Sequence, residues 1–172
     1  MGNHLQSNCR EIYCRAVVGS GHAHYKSTHE VFPSERISHI LGCWVINHQV
    51  EAEKHGNKVR LSGSYDINVW YAYDENQRTE VAKHTVRFQE TVNVHAQDGG
   101  AKSSSWEIRV RTKQVPTCLK AQLCDDGKSV EVKVESEYYV EVIAEARLIV
   151  RVCKNDDDDD FEGNGEDDGD CE

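Results

Sequence analysis

An all-β fold, as an antiparallel β-sandwich or partly open barrel, is predicted by three features of the chain. Apolar and polar residues alternate with a period of two over most of its length, turn-forming residues punctuate that alternation, and no stretch carries an apolar stripe at helical spacing. A period of two places one face of a strand in a core and the other in water.

The first nine residues, MGNHLQSNC, carry no pattern and are expected to be a flexible N-terminus ahead of a domain spanning 10–154. Gly19-Ser20-Gly21 is the first predicted reversal, and His29 to Ser38 is the segment that best fits a short helical turn. From Val59 the odd positions read Val59, Leu61, Gly63, Tyr65, Ile67, Val69, Tyr71 and Tyr73, against Lys58, Arg60, Ser62, Ser64, Asp66 and Asn68 at even ones. Trp70 interrupts the polar side with a large aromatic, which points to a second contact surface or a covering loop. The signal returns at Val86, Phe88, Val92 and Val94, then at Trp106, Ile108 and Val110. The longest run alternates from Val130 to Val152, well beyond the usual 5–6 residues of a strand, so a bend or break is expected near Ser136 or Ala144. Further turns are expected at His55-Gly56-Asn57, Asp74-Glu75-Asn76, Asp98-Gly99-Gly100 and Asp125-Asp126-Gly127, where Gly and Asn supply positive φ.

A shift of 71 residues brings Gly56, Val59, Leu61, Asp66, Ile67 and Val69 into register with Gly127, Val130, Val132, Glu137, Tyr138 and Val140. Two readings stand. The segments 40–97 and 116–153 are related halves facing each other across a pseudo-twofold axis, or they share only the likeness of any two amphipathic strands after a glycine turn.

The formal charge of -10 is unevenly spread: Asp156 to Glu172 hold 11 of the 30 acidic side chains and none of the 20 basic ones. The body is therefore close to neutral, without the broad basic footprint of a nucleic-acid binder. Residues 155–172 repel one another and offer only Phe161 as an apolar group, so they are expected to form a disordered tail. Asp156, Asp157, Asp158, Asp159 and Asp160, with Phe161 as an apolar anchor, are the candidate docking segment for basic partners; the same composition also serves as a solubilising brush. No apolar run approaches the ~20 residues of a membrane-spanning helix, and the N-terminus lacks the apolar core of a signal peptide, which predicts cytosolic synthesis.

Seven cysteines, at 9, 14, 43, 118, 124, 153 and 171, include no CxxC pair and define no disulfide framework. Cys43, Cys118 and Cys153 fit small buried apolar residues, whereas Cys9, Cys14 and Cys171, near the termini, are the candidates for crosslinking. His22 and His24 share a strand face with His29 nearby, so a small ligand- or metal-binding sandwich with a pocket lined by these three is the alternative function; no acidic or cysteine ligand joins them at a characteristic spacing. His48, His84 and His95 stand singly. The chain has no GxSxG elbow and no phosphate-binding glycine loop, and neither catalytic residues nor a cofactor are assigned.

Three blocks, REIYCRAVVGSG at 10–21, ILGCWVINHQVEAEK at 40–54 and YDINVWYAY at 65–73 followed by TEV at 79–81, together resemble the spore coat protein E (CotE) family of endospore-forming bacteria. PTCLKAQL from Pro116 resembles a further family segment, and the acidic C-terminus matches in kind. The chain departs from the family pattern in a shorter, more aspartate-rich tail and in more cysteines. The resemblance implies a structural, non-enzymatic protein without cofactor or metal, made in the mother-cell cytoplasm during sporulation and laid down in the outer layer of the spore coat. Its implied partners are itself, as a homo-oligomer, the coat basement layer beneath it and the outer coat proteins it recruits, with no nucleic acid and no membrane span. The aromatics expected at contacts are Trp70, Tyr73 and Trp106, with Trp70 the foremost exposed anchor; Trp44 and Tyr71 are expected in the core.

Overall fold

The computed structural model describes residues 9–96 and 106–152. Its elements are all strands: β1 (Cys9–Val31), β2 (His39–His55), β3 (Lys58–Tyr73), β4 (Arg78–Asn93), β5 (His95–Ala96), β6 (Glu107–Leu123) and β7 (Val130–Arg151). They form two antiparallel sheets, one ordered β5-β1-β7-β6 and the other β2-β3-β4, packed face to face. The all-β expectation therefore holds. The tail residues Asp156 to Asp160, Phe161 and Cys171, with Cys153 and the Asp98-Gly99-Gly100 turn, lie outside the described residues.

The two segments related by the 71-residue shift are the middle strands of the two sheets, β3 and β7. Their inward side chains make the core. Val59, Leu61, Ile67, Val69 and Tyr71 on β3 are fully buried, as are Val130, Val132, Tyr138, Val140 and Val142 on β7, and each such aliphatic contributes about 1.5–3 kcal/mol by leaving water. The strands face each other in opposite directions, so that Val59 and Leu61 pack with Val140 and Val142, and Ile67 to Tyr71 with Val130 to Val134. Phe88 from β4 joins the two halves of this core, its ring 6.0 Å from Tyr65 and 6.1 Å from Tyr138.

Three expectations are corrected. Of the bend or break expected near Ser136 or Ala144, the break is absent: β7 is continuous for 22 residues, because β1 pairs with it from Val130 to Arg151 and β6 along Val130 to Ile143. The irregularities fall in its neighbours instead, at Val17/Gly19 in β1 and at three places in β6. Gly19-Ser20-Gly21 is no reversal but the middle of β1. There the chain leaves β4, changes sheets at Val94 and pairs as β5 with Gly19 and Ser20, and it passes so close that a Cβ on Gly19 would lie 2.6 Å from Val94 Cγ1 and one on Gly21 2.8 Å from Val92 Cγ1. At Gly21, where an added Cβ would also run into the Asn93 carbonyl, glycine is required for that close approach. Finally, His29 to Val31 belong to β1, and residues 32–38 form an irregular connection rather than a helical turn. Pro33 cannot donate to a ladder, and the connection is tied to the sheet by Ser38 N donating to the Ala72 carbonyl at 2.8 Å.

The turns at Gly56-Asn57, Asp74 to Gln77 and Asp125 to Lys128 stand where expected, with Gly56 and Gly127 at φ 62° and 65°. Two histidines sit half-buried inside the sandwich. His48 Nε2 lies 2.9 Å from Tyr138 Oη, and His29 Nε2 lies 2.9 Å from Tyr65 Oη. Burial pushes both imidazoles below their ordinary pKa, and His84 adds repulsion at His29. Each histidine thus takes up a proton more readily in the unfolded chain, near pH 6.5, than in the fold. The unfolded state binds more protons below that value, so stability should fall as pH drops from 7 toward 5. Melting at pH 7.5 and pH 5.5 checks this: the lower pH should give the lower Tm, and the difference should shrink in a His29→Gln, His48→Gln variant.

Candidate interaction face on the β2-β3-β4 sheet

The outward face of this sheet is ruled by the pairing of its three strands. Cross-strand neighbours form the rows Gly42–Trp70–Val81, Trp44–Asn68–Lys83 and Ile46–Asp66–Thr85. Trp44, Trp70 and Val81 are 40%, 42% and 44% exposed, side by side. Gly42, opposite Trp70, lies beside both indoles: a Cβ there would make ordinary contact, 3.9 Å from Trp44 and 4.0 Å from Trp70. Exposed Leu41 and Ile46 border the same area. The result is an apolar centre on a solvent face, held by strands whose other side is the core.

Beside the tryptophans lies a buried polar network. The ladder between β2 and β3 slips between Ile46 and Gln49, and within this bulge Asn47 adopts a left-handed φ of 54°, which Asn tolerates better than other side chains. The bulge re-aims two consecutive residues. His48 turns inward to Tyr138, while Asn47 Nδ2 reaches the outward Asp66 Oδ2 at 2.7 Å. Asp66 also accepts from Thr85 Oγ1 at 2.6 Å and pairs with Lys83 Nζ at 2.9 Å. Hydrogen bonds from Thr85, Asn47 and Lys83, in that order of weight, hold its carboxyl down to about 2, so it stays ionised across the physiological range. Asn68, in the next row, is 94% buried on its 6% exposure, and its Nδ2 makes no hydrogen bond among the described residues. A buried donor left unmatched is costly and draws an acceptor.

Of the residues singled out from sequence, Trp70 lies at the centre of this face. Trp44, expected in the core, lies there too: it pairs with Asn68 on the outward side of β2, so that expectation is corrected, whereas Tyr71 is fully buried. Tyr73 and Trp106 are turned elsewhere. Tyr73 is half-buried, 6.0 Å from the Tyr71 ring, and Trp106 packs at the other end of the sandwich with Lys54 Nζ 4.2 Å above its ring. Cys9 is exposed and Cys14 half-buried, both on β1. The three histidines of the alternative function do not come together. His22 and His24 face outward to Glu137 and Glu135 at 2.6 Å, while strand alternation turns His29 inward to Tyr65. A cleft of about 300 Å³ beside it is lined by Tyr25, His29, Tyr65 and Phe88. Reading the sequence alone missed Asn47, Asp66, Asn68, Val81, Lys83 and Thr85. Asp66 and Asn68 were legible as even-numbered companions of Trp70, but their partners on β2 and β4 follow only from register.

Two of the three blocks that carried the family resemblance build this face, while 10–21 lies in β1 of the other sheet: 40–54 lies in β2, 65–73 is the second half of β3, and 79–81 opens β4. A family model described as outer spore coat protein E (CotE) matches residues 8–172. The chain belongs to that family. Among curated proteins and among solved structures, nothing matches it. As a member of the CotE family it is a spore coat protein, and the family is a structural one. Among the described residues no helix is long and apolar enough to cross a membrane, which says nothing of strands.

Proposed function

We propose that this CotE-family protein is a non-catalytic scaffold that associates with copies of itself through the outward face of β2-β3-β4 and recruits other coat proteins. On this reading it is made in the mother-cell cytoplasm, deposited on the basement layer and retained in the outer coat. The observation that carries the reading is the exposed Trp44–Trp70–Val81 centre, because large aromatics in the middle of a patch contribute most of the energy of an interface and an apolar face of this kind is self-complementary about a twofold axis. Two further features support it. Asn68 offers a desolvated donor beside the tryptophans, and β2 and β4 stand at the two edges of their sheet, where main-chain groups can extend it. The aspartate-rich segment with Phe161 is assigned to basic partners, on charge alone.

Trp70→Ala tests the scaffold reading. Self-association followed by light scattering should weaken about 30-fold, as removal of a central aromatic does, while Tm moves by no more than about 2 °C because the side chain is half exposed. An unchanged distribution of assembly sizes would overturn the assignment of this face. Deleting 155–172 should leave self-association intact and reduce capture of basic coat proteins.

A further inference from the structure

Where β2 and β6 meet, two cysteines from different sheets come together. Cys43 on β2 is paired with fully buried Val69, and Cys118 on β6 with buried Val134, so both side chains point between the sheets. Both are free thiols, half-buried, and pack against the same apolar cluster. Facing sheets ordinarily stand about 10 Å apart, which is wide for the 4.4–6.8 Å Cα separation of a disulfide. At this side of the sandwich, however, the backbones of β2 and β6 come within 8 Å of each other, and the Cys118 thiol is close enough to hinder ionisation of Cys43. The register of β6 slips at Cys118/Lys120, which gives that residue local slack.

We propose that Cys43 and Cys118 form an intramolecular disulfide that staples the two sheets when the protein meets an oxidising small-molecule disulfide. In the first step one cysteine thiolate attacks a sulfur of the oxidant RSSR, giving a mixed disulfide and releasing RS⁻. The second thiolate then attacks the protein sulfur of that mixed disulfide, closing the Cys43–Cys118 bond and releasing the second RS⁻. The two protons lost by the cysteines go to the two leaving thiolates, so one RSSR is reduced to two RSH as one protein disulfide forms. Burial raises the Cys43 thiol well above its ordinary pKa, chiefly by desolvation, and few thiolates are then present at neutral pH. Oxidation is therefore slow, a one-time setting reaction rather than a rapid cycle. Sequence reading placed these two thiols among inert core residues, and the crosslinking candidates Cys9, Cys14 and Cys171 near the termini; the juxtaposition of 43 with 118 appears only in the fold.

The test uses the full chain, held folded with oxidised glutathione, then blocked with iodoacetamide in denaturant and digested with trypsin. The monomer fraction should yield the peptide Ile37–Lys54 joined to Gln114–Lys120, and dithiothreitol should separate the two. The oxidised monomer should melt about 10 °C above the reduced one, since the bond closes a long loop. Cys43→Ala and Cys118→Ala, each with an unchanged far-UV circular dichroism spectrum, should abolish both the joined peptide and the Tm gain. Recovery of both cysteines fully alkylated from the oxidised monomer, or their joining only in covalent dimers, would overturn the proposal. Neither result depends on whether the tryptophan face assembles.

Discussion

Gly21→Val is expected to be among the most damaging single substitutions in the domain. Gly21 lies where the chain crosses from β4 to β5 over β1, and a side chain there meets the Asn93 carbonyl as well as Val92 and Val140. A flexible side chain can turn away from a clash, but a carbonyl held in the ladder next to a sheet change cannot. Forced overpacking of this kind costs about 3 kcal/mol or more, which for a chain of this length lowers Tm by about 6–12 °C. Gly19→Ala, whose first clash is with the movable Val94 side chain, should cost clearly less. Thermal melting of the two variants together checks the account: equal losses would show that the crossing does not depend on backbone proximity.

Tyr138→Ala should be comparably severe for the opposite reason, a void. Tyr138 is 1% exposed on the central strand β7, with the rings of His48, Tyr25 and Phe88 at 5.8, 6.1 and 6.1 Å. Truncation removes a large side chain at the join between the two halves of the core and leaves His48 without its hydroxyl partner. The expected loss is about 3–5 kcal/mol. Tyr138→Phe separates the two contributions: it keeps the packing, removes only the hydrogen bond at 2.9 Å, and should cost about 1 kcal/mol. Denaturant unfolding measures both, and a Phe variant as unstable as the Ala variant would show that the hydroxyl, not the ring, holds the site.

The candidate face shows where sequence reading works and where it stops. That Trp70 sits on the wet side of its strand is visible from the parity of Val69 and Tyr71 alone. Trp44 has the same parity relative to Cys43 and Val45, yet it reads as core because large aromatics usually are; its exposure follows from its pairing with Asn68 on the outward side of the sheet. Asn47 faces outward like its neighbour Ile46, and His48 turns inward although Trp44 and Ile46, of the same parity, face outward; one bulge sets that change of parity, and no local propensity marks it in INHQV.

The alternation of side chains, the turn residues and the charge segregation are local properties, and from them the chain by itself determined an all-β body with β3 and β7 as its most apolar strands and an acidic C-terminal segment. Neighbour relations belong to the tertiary structure. Which strands share a sheet, that β7 runs unbroken while β1 and β6 absorb the irregularities, and that Cys43 meets Cys118 were decided by packing two twisted sheets against each other. The reason is physical: a period of two says which way a side chain faces, but any amphipathic strand can pair with any other until burial of one shared core selects the register.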